Sequence, residues 1–66
     1  MKLFEVFATI TGNTENFNDA NGYPVKDGGY VVFHPKAESE TEAAETACRI
    51  AELAGCSARI KLVRER

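Results

Sequence analysis

Few side chains in this sequence can do chemistry, and they are widely spread. His34 is the only histidine, and Cys48 and Cys56 are the only cysteines. A histidine can serve as a general base, but no Ser or Cys stands at a spacing that pairs with it as a nucleophile. His34 is therefore read as a residue at the end of a strand, and no catalytic residue is assigned. The two cysteines are eight residues apart. If the chain between them is helical, their backbones lie roughly 12 Å apart, whereas a disulfide needs about 7 Å or less. Two free thiols are expected, which fits a reducing, cytoplasmic compartment.

Metal and phosphate sites fare no better. Structural zinc wants four ligands in short-spaced pairs, and there is no C-x-x-C. Asn13, Asn16, Asn18, Asp19, Asn21 and Asp27 are rich in oxygen, but a calcium-loop spacing with its terminal Glu is absent. Turn formation is the better account of them. The glycines form neither a Walker-type nor a dinucleotide-binding loop. No metal and no cofactor are expected.

Charge is the remaining signal. The whole chain is close to balanced at −2, with 44% apolar and 27% charged residues. This excludes a simple polycation and an acidic disordered tail. Locally the balance breaks. Glu38 to Glu52 carries a net −4, and the last ten residues carry +3 from Arg59, Lys61, Arg64 and Arg66 against Glu65. The acidic band reads as a solvated helix face with capping, or as an acidic surface that competes for a basic groove on a partner. The basic stretch reads as the outer side of an amphipathic strand, or as a small platform for single-stranded nucleic acid.

The elements that carry these residues follow from periodicity. Lys2 to Thr11 alternates Phe4, Val6, Ala8 and Ile10 with Leu3, Glu5, Phe7 and Thr9, the period of a strand. The same alternation, with Glu5 inside it and no small-residue cleavage site, argues against a signal peptide. No apolar run reaches the length of a membrane span. Residues 12–29 hold Asn21-Gly22 and Asp27-Gly28 turn pairs and read as a long Gly/Asn-rich loop, either mobile and functional or hiding a short hairpin at Asn21-Gly22. Tyr30 to Pro35 is a second strand that ends, or lies on an edge, at Pro35. Ser39 and Glu42 form a capping box. A helix then runs to about Ala54, with Gly55 as its C-terminal stop. Ala43, Ala47, Ile50 and Ala54, widened by Ala51 and Leu53, form its apolar stripe. Ala58 to Glu65 is a third strand. The helix leading into it, ETEAAETACRIAELAGCSARI, resembles in outline half of a SPOR-type repeat, and no residue role carries over.

This order predicts one α+β domain over residues 1–66: a two-layer β-β-α-β sandwich with a three-stranded sheet of order 2-1-3. One helix covers one face and leaves the other open. Phe4, Val6, Ala8, Ile10, Ile60 and Leu62 are expected under the helix. The open face should carry Leu3, Glu5 and Phe7 with Arg59, Lys61 and Val63. From the second strand it receives either Tyr30, Val32 and His34 or Val31 and Phe33; the candidate interaction surface takes the first set. An exposed apolar face marks an interaction surface.

A chain of this size buries little core, so a partner is expected to complete it. The leading expectation is a non-enzymatic, cytoplasmic interaction protein, homodimeric through the open face or an edge strand. A second is a phage- or mobile-element-type inhibitor that docks on a larger protein complex, in the manner of small anti-CRISPR proteins. A third is weak binding of RNA or other single-stranded nucleic acid through the basic strand. No membrane partner is expected.

Overall fold

The architecture is built on β1 (Lys2–Gly12), whose alternating apolar residues need cover on one face and whose backbone groups need a neighbour on each edge. A computed structural model describes residues 1–18 and 21–66. On one edge of β1 lies β2 (Tyr30–Phe33), followed along the same edge by the two-residue β3 (Lys36–Ala37). On the other edge lies β4 (Cys56–Glu65), and every pairing is antiparallel. The result is a four-stranded antiparallel sheet with β1 in the centre and one helix, an α+β fold. The expected second strand is present but stops at Phe33, short of Pro35, and β3 beyond it is a fourth strand that the expected three-stranded sheet did not include. Pro35 has no amide to give, so the ladder breaks between β2 and β3. Its carbonyl still accepts from the Phe4 amide at 3.0 Å and keeps both halves on one edge.

Helix α1 (Glu40–Leu53) begins where the sequence says it should. Ser39 is extended, and its hydroxyl accepts from the Glu42 amide at 3.2 Å, satisfying one free donor of the first turn. Glu40 and Glu42 sit in that turn, where the helix dipole favours negative charge. The helix stops at Ala54, and Gly55 follows at φ +83°, the left-handed conformation that releases the chain into β4.

The helix buries a narrower stripe than expected. Ala43, Ala47 and Ala51 are fully buried, whereas Ile50 is 41% and Leu53 83% exposed. At about 100° per residue, Leu53 lies roughly 120° round the helix from Ala47, beyond the reach of the sheet. Small side chains let the helix lie close over β4, β1 and β3. The larger volume comes from the sheet, from Phe4, Val6, Ile10, Val31 and Phe33.

Residues 12–29 are less free than the mobile-loop reading supposes. Thr14–Asn16 form a 3-10 turn, and an isolated antiparallel bridge joins Asn18 to Pro24 across the Asn21-Gly22 pair, a rudiment of the hairpin alternative. Asp19 and Ala20 lie outside the described residues. The segment returns to the core through buried Val25, and Phe17 meets Phe33 edge-on at 6.0 Å between ring centres. Gly28 donates to the Ile10 carbonyl and Ile10 to that of Gly29. The Gly12 amide reaches the Asp27 carboxylate at 3.0 Å, so Asp27 braces a turn. The loop thus supplies apolar cover for one end of a small core.

Both thiols are free: Cys48 is half-buried on α1, and Cys56 is buried and points its Sγ at the Asn13 carbonyl, 2.8 Å away.

Candidate binding face

The open side of the sheet is defined by the odd residues of β1. Phe4, Val6, Ala8 and Ile10 are buried under the helix, while Leu3, Glu5, Phe7, Thr9 and Thr11 point the other way. Residues paired across an antiparallel ladder share a face, so the register extends this surface. Val32 lies beside Phe7 and Tyr30 beside Thr9 on one edge. Leu62 lies beside Phe7, Arg64 beside Glu5, and Arg59 beside Thr9 on the other. This decides what periodicity left open for the second strand. Val31 and Phe33 face the helix, each 6% exposed, and Tyr30 and Val32 face outwards.

One expectation is overturned. The register between β1 and β4 jumps after Phe7, which pairs with Leu62, to Ala8, which pairs with Ile60. Lys61 is the extra residue of a β-bulge, and the bulge inverts the parity of everything beyond it. Val63, expected on the open face, is half-buried against the core. Leu62, expected under the helix, is 52% exposed beside Phe7 on the open face. Of the residues assigned to the interaction surface, Leu3, Phe7, Tyr30, Val32, His34, Arg59 and Lys61 are brought together, and Val63 is not. Simple alternation could not reveal this, because nothing in the string ARIKLVRE marks which residue is unpaired.

The centre of the face is apolar. Leu3 is 36%, Leu62 52% and Tyr30 62% exposed, with Phe7 and Val32 half-buried among them. Around them stand Lys36, Arg59, Lys61, Arg64 and, just past β4, Arg66, while Glu5 is the carboxylate that the described, paired strands turn to this side. That carboxylate is already engaged. Arg64 Nε donates to Glu5 Oε1 at 2.8 Å, and His34 Nε2 lies 3.8 Å from Glu5 Oε2. The Arg64 hydrogen bond holds the Glu5 carboxyl below the usual carboxylate range. Partial burial opposes this, and the charges of Arg64, Arg66 and His34 reinforce it. The same guanidinium lies over the Phe7 ring, 5.4 Å from its centre, a cation–π contact.

Beyond this cluster, an open groove of about 450 Å³ runs along the β1–β4 seam. Its polar lining is three hydroxyls, Thr9, Thr11 and Ser57, and two cations, Arg59 and Lys61. The opposite layer has the opposite sign: Glu40, Glu42, Glu45 and Glu52 on α1 outnumber Arg49.

His34 stands on the open face, whereas Cys48 belongs to the helix that covers the other one, so the fold does not join them. Among the described residues no three His, Cys, Asp or Glu side chains converge as metal ligands. No helix among the described residues is long and apolar enough to cross a membrane. Comparison of the chain with protein-family models, with curated proteins and with solved structures finds no match, so the reading rests on the face itself.

Proposed function

We propose that this is a non-enzymatic binding protein that works through its open sheet face, and that its partner presents negative charge. The observation that carries the reading is the composition of the face: five cations, with Glu5 the carboxylate that the described, paired strands turn outward, ringed about exposed Leu3, Leu62 and Tyr30. An apolar centre with a charged rim is the anatomy of an interaction surface. The sign of the rim selects the partner.

Homodimerisation, the leading expectation from composition, fits this surface less well. Face-to-face pairing would set two positive faces against each other. Pairing through the outer edge of β4 meets Lys and Arg side chains and a bulge, the devices that deter edge association. Docking on an acidic protein complex in the manner of an inhibitor remains compatible with the face and has no observation of its own.

Light scattering on a sizing column, followed by chromatography on immobilised heparin, tests the reading. The expected result is a species near the 7.2 kDa chain mass that binds heparin at low salt and binds less when Arg59 and Lys61 are replaced by Ala. A stable dimer that Leu62→Asp dissociates would overturn it, because the face would then be covered by a second copy.

A further inference from the structure

The cations of the open face form a row. Three of the five lie on β4, at Arg59, Lys61 and Arg64, and Arg66 follows it directly, its amide donating to the Leu3 carbonyl. Strict alternation would have turned Arg64 and Arg66 to the helix side. The bulge at Lys61 restores them to the face that Arg59 and Lys61 occupy. Same-face neighbours on a strand are about 6.6 Å apart, which sets the step from Arg59 to Lys61 and from Arg64 to Arg66, with Leu62 between the two pairs, so positive charge runs along one side of the sheet. Thr9, Thr11 and Ser57 add hydroxyl donors at one end, in a groove lined by no carboxylate. Across β1 from Arg59 stands the Tyr30 ring, 62% exposed, and further along the same face the Arg64 guanidinium lies over Phe7.

A row of cations suits a linear polyanion of repeating charge, and adjacent flat groups suit bases. Resting on the anionic-partner reading above, we infer that the open face binds single-stranded nucleic acid. Successive phosphates follow β4 from the Ser57 end to Arg66, and bases lie inward over Tyr30 and the Phe7–Arg64 stack. A duplex offers no unstacked bases to these flat groups and is not the expected ligand. An acidic protein surface is the competing occupant, and its irregular charge has less use for an aligned row.

The test is fluorescence anisotropy with labelled oligothymidylate and oligouridylate of about twelve nucleotides, a hairpin duplex, and polyglutamate, on the whole chain. With Arg64 held by Glu5 and Phe7, three phosphate contacts, at Arg59, Lys61 and Arg66, predict a log–log salt slope of about −2, or roughly twenty-fold weaker binding between about 50 and 200 mM salt. Replacing both Arg59 and Lys61 with Ala should bring the slope to about −0.7. Tyr30→Ala should weaken single-strand binding about fivefold or more at unchanged slope. Arg49→Ala, on the helix, is the control and should change nothing. Far-UV circular dichroism confirms that each variant is folded. Duplex binding as tight as single-strand binding, with no effect of Tyr30→Ala, would overturn the inference. So would polyglutamate binding without oligonucleotide binding, which leaves the anionic-partner reading standing. Binding of neither would remove both.

Discussion

The bulge at Lys61 makes a prediction that strict alternation contradicts in order, not merely in size. In the structure Leu62 is half-exposed on the open face, and Val63 packs against the core from the helix side. Leu62→Asp removes a half-exposed side chain and places a carboxylate on a face rich in cations, so it should cost about 0.5–1 kcal/mol. Val63→Asp loses about half of a valine burial and forces a carboxylate towards an apolar layer with no donor for it. That should cost about 2–3 kcal/mol. Without the bulge the ranking inverts, with Leu62→Asp the core lesion and Val63→Asp close to neutral. Deletion of Lys61 is the third arm. It removes the unpaired residue and leaves Ile60 and Leu62 consecutive, so every other side chain of β4 keeps its face and the fold should survive. Urea unfolding followed by circular dichroism reads all three. With a slope of about 1 kcal/mol/M for a chain this small, Val63→Asp shifts the midpoint by about 2–3 M and Leu62→Asp by less than about 1 M. Total stability for this length is only about 3–10 kcal/mol, so Val63→Thr, at about 1 kcal/mol, serves as a milder arm. A midpoint lowered more by Leu62→Asp than by Val63→Asp, or a Lys61 deletion that abolishes the transition, would refute the bulged register.

Three further outcomes follow from single contacts. Gly12 has φ +105°, and a Cβ there would lie 2.9 Å from the Gly55 carbonyl oxygen; Gly12→Ala should therefore cost about 2 kcal/mol or more in the same urea experiment. Ala47 is fully buried between helix and sheet, so Ala47→Leu should push the layers apart and cost about 1–3 kcal/mol, read as a lowered melting temperature. The Arg64 hydrogen bond holds the Glu5 carboxyl below its ordinary range; its contribution is present above the unfolded pKa and is lost as pH falls through the folded one. Stability measured from about pH 5 downwards should thus fall less steeply in Glu5→Gln than in the parent chain, and identical acid limbs would refute the pairing.

Several features were legible in the residues alone because they are local. The alternation of Phe4, Val6, Ala8 and Ile10 fixes a strand and its buried side. Ser39 and Glu42 fix where the helix begins, and Gly55 where it ends. The element order then leaves few sheets to choose from, and the antiparallel arrangement around the first strand is the simplest of them. Register is a different kind of fact. Which side of Tyr30–Phe33 is buried depends on the strand it pairs with, and both of its faces are apolar enough to serve. The bulge at Lys61 depends on how a twisted edge strand fits β1 on one side and α1 on the other. That fit sends Val63 inward, Leu62 outward, and Arg64 and Arg66 into line with Arg59 and Lys61. The sequence by itself determined that the chain has an open sheet face and that basic residues crowd its last strand. Only the tertiary structure decided that those cations share that face, because one unpaired residue reverses the parity of all that follow it.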